Sequence, residues 1–95
     1  SCESDRRLKK NITPIENALN IVDKLNGVTY NWKTDEASSS LEYGFIAQDV
    51  ETVIPSLVKT NAGSGIKSVD YQKMVSFLTT AVQELRAEVN ALRQA

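Results

Sequence analysis

Apolar residues along this chain change their spacing several times, and each change predicts an element. Ile15, Ala18, Leu19, Val22 and Leu25 recur at three- and four-residue steps, the stripe of a helix with one buried face. Ahead of them stands Thr13-Pro14-Ile15-Glu16, where Thr13 suits the N-cap, Pro14 the first helical position and Glu16 the third, a capping box. Asn26-Gly27 follows the last apolar position, and a glycine there tolerates the left-handed backbone that closes helices. The predicted helix therefore covers roughly 14–25.

From Val28 the period falls to two. Val28, Tyr30 and Trp32 alternate with polar residues up to Lys33, as in a half-buried strand whose aromatic rings fill a small core. Thr34 to Ser40 is small and polar, hence a loop. Tyr43 to Ala47 is a second short strand, and Gln48 to Ile54 a brief helix with Val50, Val53 and Ile54 inward, stopped by Pro55. Leu57–Lys59 and Ile66–Val69 form a hairpin around Asn61-Ala62-Gly63-Ser64-Gly65, a loop of about five residues.

The last quarter is the most regular. Asp70 suits an N-cap, and no glycine or proline occurs from Tyr71 to Ala95. Tyr71, Leu78, Leu85 and Leu92 fall seven apart, and Val75, Val82 and Val89 fall seven apart on an offset, a heptad seam with leucine at d and valine at a. A 3.5-residue period over this length predicts supercoiling against another copy. Glu88 at g and Arg93 at the following e are placed for an interchain ion pair in a parallel arrangement. The alternative, a long helix packed on its own domain, suits the narrow stripe less well. The fold class is α+β: a small mixed globular part of short strands and helices, 13–69, followed by a long C-terminal coiled-coil helix, 70–95, within one domain over 1–95.

Composition narrows the chemistry. The 95 residues carry a net charge of −1 and suffice for one small domain with a marginal core. No apolar run approaches the roughly 20 residues of a membrane span, and no signal-like segment opens the chain. A single cysteine, Cys2, leaves no internal disulfide and no multi-thiolate metal site. With no histidine, Ser-His-Asp and Cys-His catalysis are excluded, and a general base must be Lys, Asp, Glu or Tyr. No cofactor or metal is expected. Gly63-Ser64-Gly65 lacks the spacing and the Lys-Ser/Thr of a phosphate loop. The near-neutral charge argues against a nucleic-acid partner for Arg6, Arg7, Lys9 and Lys10, as does the lack of an interleaved aromatic.

The segment from Ser4 to Ile12 holds a nucleophile candidate, Ser4, and a base candidate, Lys9. A serine hydroxyl needs a group to take its proton. A lysine's ordinary pKa, about 10.4, lies far above neutrality, so such a mechanism requires burial or crowding by cations. Arg6, Arg7 and Lys10 stand beside Lys9 in sequence. On spacing alone, a solvated basic turn leading into the first helix is the better account of these residues.

The runs S-D-R-R-L-K-K-N-I from Ser4, Y-G-F-I-A-Q-D-V from Tyr43, P-S-L-V from Pro55 and S-V-D-Y from Ser68 precede a heptad helix. In that order they resemble the C-terminal intramolecular chaperone domain of phage endosialidases, tail spikes and tail fibres, which has a relative in the myelin regulatory factors. The likeness spans Ser4 to the coiled coil. It implies a homotrimer that brings an upstream β-rich fibre or spike domain into register and then releases itself by autoproteolysis, making 1–12 the cleavage motif. It further implies a cut between Glu3 and Ser4, with Ser4 as nucleophile and Lys9 as base. Asp5, Arg7 and Asn11 match other motif positions and are assigned to orienting the segment and stabilising charge on the carbonyl oxygen. Valine at a with leucine at d favours two strands on coiled-coil rules, whereas the resemblance implies three, the number expected here. The implied setting is the host-cell cytoplasm during virion assembly, or the virion tail where release does not occur. The rival expectation is a non-catalytic coiled-coil trimerisation module that stays attached and needs nothing of Ser4 or Lys9.

Overall fold

The structure, a computed structural model, describes residues 2–34 and 40–95. A one-turn 3-10 helix, Arg6–Leu8, is followed by α1 (Ala18–Val22), β1 (Val28–Tyr30), β2 (Glu42–Gly44), α2 (Ala47–Val53) and a second 3-10 turn, Pro55–Leu57. Then come β3 (Val58–Thr60), β4 (Lys67–Val69) and the long α3 (Tyr71–Gln94). β1 pairs with β2 and β3 with β4, both antiparallel, in separate two-stranded sheets. The architecture is mixed, with short strands and a C-terminal helix.

The core gathers where α2, the turn after it and the start of α3 meet. Val50, Ile54, Leu57 and Met74 are buried there, with Phe45, Val53, Val58, Val69 and Phe77 packed around them. Pro55 ends α2 as its missing N–H requires, and Leu57 is delivered inward at 2% exposure. The hairpin forms with Val58 opposite Val69 and Thr60 opposite Lys67. Its connection, 61–66, is one residue longer than expected. The Asn61 side-chain oxygen accepts from the amides of Gly63 and Ser64, and Gly65 takes φ +74, where glycine pays no Cβ penalty.

α1 is far shorter than the apolar stripe predicts, and the capping box at Thr13 and Glu16 does not start it. Asn17 adopts left-handed backbone, φ 59, which a helix cannot run through, so Ala18 opens the element. The end also differs. Asp23 caps the helix in right-handed backbone, and Gly27 lies beyond it without a positive φ. The stripe itself is kept, since Ala18 is fully buried and Ile15, Leu19, Val22 and Leu25 are half-buried.

β1 ends at Tyr30, so the strand predicted to Lys33 is cut by half. Trp32 lies 57% exposed with its ring edge-on to Tyr30, centroids 5.1 Å apart, and does not fill the core. Asn31 donates to the Ser40 carbonyl, tying the end of β1 to the approach to β2. The strand predicted from Tyr43 to Ala47 stops at Gly44 because Phe45 turns its amide to the Tyr71 hydroxyl, 3.2 Å away. Most of the predicted loop, 35–39, lies outside the described residues.

α3 begins where Asp70 accepts from the Lys73 amide, the expected cap. It carries two faces. Met74, Phe77 and Ala81 turn towards the domain, where α1 lies against the helix. The heptad positions Val75, Leu78, Val82, Leu85, Val89 and Leu92 are between 37% and 76% exposed. Tyr71, the first residue of the predicted seam, is also packed on Phe45, ring centroids 6.1 Å apart. The eleven residues from Leu85 onward are all exposed, so nearly half of this roughly 36 Å helix projects from the domain. The radius of gyration, 17.1 Å, exceeds the roughly 12–13 Å of a compact chain this long for that reason.

Candidate active site

The amino-terminal segment, 2–14, is exposed along its whole length, yet it has a defined local structure. Asp5 lies in extended backbone and its Oδ1 accepts from the Arg7 amide at 2.8 Å, as an N-cap does. The Leu8 amide then donates to the Asp5 carbonyl and the Lys9 amide to the Arg6 carbonyl, closing one 3-10 turn. The Arg7 guanidinium folds back on the same carboxylate, Nε to Oδ1 at 3.1 Å and Nη2 to Oδ2 at 2.9 Å. Arg7 thereby holds the Asp5 carboxyl below the usual aspartate range, and Asp5 raises the guanidinium in turn.

The turn ends at Lys9, which returns to extended backbone and reaches back to Ser4. Its Nζ donates to the Ser4 Oγ at 2.5 Å. The two residues singled out as nucleophile and base are therefore brought into direct contact within one chain. As an ammonium, Nζ can only donate to this oxygen. Once Nζ has lost a proton the same contact can reverse, with the hydroxyl donating to the amine, the state in which a lysine activates a serine. Pairing with Asp5 offsets one of the neighbouring cations, Arg7, and leaves Arg6 and Lys10 as the others beside Lys9 in sequence.

Glu3, Ser4, Asp5, Arg7 and Leu8 line a shallow, open depression of about 530 Å³. Asn11 stands apart. It takes left-handed backbone, φ 55, and among the described residues no hydrogen bond joins its side chain to Ser4, Asp5, Arg7 or Lys9. The structure thus gathers Ser4, Lys9, Asp5 and Arg7 and leaves Asn11 as a bend that follows them. The heptad residues lie on a different element, α3. Among the described residues no group of three or more His, Cys, Asp or Glu is arranged to hold a metal ion, and no helix is long and apolar enough to cross a membrane.

One residue escapes sequence reasoning. Glu84, on the polar flank of the heptad seam, accepts from the Leu19 amide at 2.7 Å and so satisfies an orphan donor at the start of α1. The available signal is its position, three residues after Ala81 and seven after Phe77, on the face that α3 turns inward.

Residues 4–59 match the family described as chaperone of endosialidase, also called peptidase S74. The chain belongs to this family. It is also 39% identical over 94 residues to the long tail fiber protein Gp37 of Enterobacteria phage K3, and equally to that of Enterobacteria phage T2. Against Gp37 of Salmonella phage S16 the identity is 36% over 98 residues. These alignments cover 94–96% of this chain but only 8%, 7% and 13% of the three relatives. The family match begins at Ser4 and includes the whole Ser4–Lys9 turn, the two helices α1 and α2, and both strands of the first sheet.

Proposed function

We propose that this domain is a C-terminal intramolecular chaperone of a phage tail fibre or tail spike, which assembles as a homotrimer, assists folding of the upstream β-rich part of the same precursor, and releases itself by cutting between Glu3 and Ser4. The observation that carries this reading is the 2.5 Å contact of Lys9 Nζ with Ser4 Oγ inside the segment matched to a family named both chaperone and peptidase. It acts in the host-cell cytoplasm while virions assemble.

The chemistry needs no substrate pocket, since the scissile carbonyl is that of the preceding residue and proximity is built into the chain. Lys9 Nζ takes the Ser4 hydroxyl proton as Oγ bonds to the Glu3 carbonyl carbon. The carbon–nitrogen bond breaks, the Ser4 nitrogen receives the proton, and an ester joins Glu3 to Oγ. Water then hydrolyses the ester, leaving a Glu3 carboxylate and a chain that begins at Ser4. Asp5 and Arg7 orient the segment, and Asn11 bends the chain beyond it.

The exposed heptad face supports assembly, because six large apolar residues in 3.5-residue register leave water only against other helices. Assembly also offers a gate. Ser4 and Lys9 are exposed in a single chain, and cover from neighbouring copies favours the neutral amine that the base role demands. The test is a precursor carrying its natural upstream sequence, followed by mass spectrometry and sedimentation. Ser4→Ala and Lys9→Ala should stay whole and trimeric while the parent chain is cut ahead of Ser4. Cutting at that bond in both variants would refute the Ser-Lys pair, a stable dimer would refute the trimer, and an uncut trimeric parent would leave a fastening module that stays attached.

A further inference from the structure

Lys9 stands five positions after Ser4. In an extended chain that spacing sets their Cα atoms roughly 17 Å apart, too far for a lysine side chain to meet a serine hydroxyl. The contact exists because residues 6–8 coil into one 3-10 turn. Such a turn is intrinsically weak: it has two backbone hydrogen bonds, its three residues are exposed, and its one apolar side chain, Leu8, is 67% exposed. Its reinforcement comes from Asp5. The carboxylate accepts the orphan Arg7 amide and clamps the Arg7 guanidinium through both oxygens.

We infer that Asp5 is a positioning residue, whose side-chain oxygen caps the turn and so sets Lys9 against Ser4. The inference rests on the Ser4–Lys9 reading and adds a division of labour to it. Both Asp5 oxygens are engaged by Arg7, and among the described residues no hydrogen bond joins them to Ser4 or Lys9, while a carboxylate, which only accepts, cannot stabilise charge on the carbonyl oxygen. Its work is geometric, and a neutral oxygen in the same place performs most of it. Asparagine caps about as well as aspartate, whereas alanine cannot cap.

The experiment compares the cutting rate at Glu3–Ser4 in the full precursor for the parent chain, Asp5→Asn and Asp5→Ala, each as a function of pH. Asp5→Ala should be slower by about two- to thirtyfold, the range that loss of a cap implies, with its pH midpoint where the parent's lies. Asp5→Asn should recover to within about threefold of the parent. Equal slowing of the two variants, or a pH midpoint that moves in Asp5→Asn, would overturn the inference. A second measurement does not depend on cutting. In a Ser4→Ala background, amide exchange at Arg7 and nuclear Overhauser contacts between the residue-4 β-carbon protons and the Lys9 ε-methylene should survive Asp5→Asn and fade in Asp5→Ala. If all three chains exchange alike, the cap is wrong even where the parent is cut. If the cap behaves as stated and the parent is never cut, the positioning stands and the peptidase reading falls.

Discussion

The carboxylate of Glu84 accepts a hydrogen bond from the backbone amide of Leu19, 65 residues earlier, at 2.7 Å. A five-residue helix is too short to be stable alone, and left-handed Asn17 gives it no side-chain cap to its own backbone. Its start is therefore fastened from outside, by the helix on which it lies. Glu84→Ala should lower stability by about 0.5–2 kcal/mol, the scale of a lost cap, with Glu84→Gln keeping most of it. Urea denaturation at one fixed chain concentration reads this, and identical midpoints for all three chains would contradict it.

Gly44 and Tyr71 constrain one another. A Cβ at residue 44 would stand 2.7 Å from the Tyr71 hydroxyl oxygen, which is itself held by the Phe45 amide. Gly44→Ala is expected to cost about 1–3 kcal/mol through that overlap. Tyr71→Phe alone loses one hydrogen bond, about 1 kcal/mol, but removes the atom in the way. The double variant should then be more stable than the sum of the singles. Strict additivity in a double-mutant cycle would deny the clash.

The two faces of α3 should respond differently. Met74, on the inner face of α3, is 2% exposed within the core, and Met74→Ala should destabilise the fold by about 2–5 kcal/mol. Val82 and Leu85 are 66% and 48% exposed, so Val82→Asp with Leu85→Asp should spare the globular part, judged by near-ultraviolet dichroism, yet yield a monomer in sedimentation. A double variant with the parent's mass would remove the seam from the account.

Acid should release the amino-terminal turn late. Because Arg7 depresses the Asp5 carboxyl, the interaction is fully present above the ordinary aspartate value, about 3.9, and is lost only as pH falls through the lower folded value. An NMR titration of the Asp5 carboxyl carbon, alongside the Arg7 amide, should give a midpoint below that ordinary value. A midpoint at or above it would mean the Arg7 pair does not persist in solution.

Elements that depend on local chemistry were legible in the sequence. Asp70 as cap, an unbroken run without glycine or proline, Pro55 as a stop and the Asn61–Gly65 turn each act within a few residues, and α3, the end of α2 and the hairpin follow from them. α1 was not legible in length, because Asn17 breaks it and Glu84 fastens it from a distant part of the chain. Trp32 misled for a related reason: alternation in a strand does not say where pairing stops, and with β1 ending at Tyr30 its ring stays in water. At the site, the Ser4–Lys9 spacing gained meaning only from the resemblance. The Asp5–Arg7 clamp, an i to i+2 contact on an exposed turn, has no periodicity to announce it.

The most direct test is the intact mass of the precursor purified after expression with its upstream sequence. Two products are predicted, the smaller beginning at Ser4, with a single full-length species when Ser4→Ala is introduced. One uncut mass for the parent chain, or a product that begins at any other residue, would contradict a hydroxyl activated by Lys9.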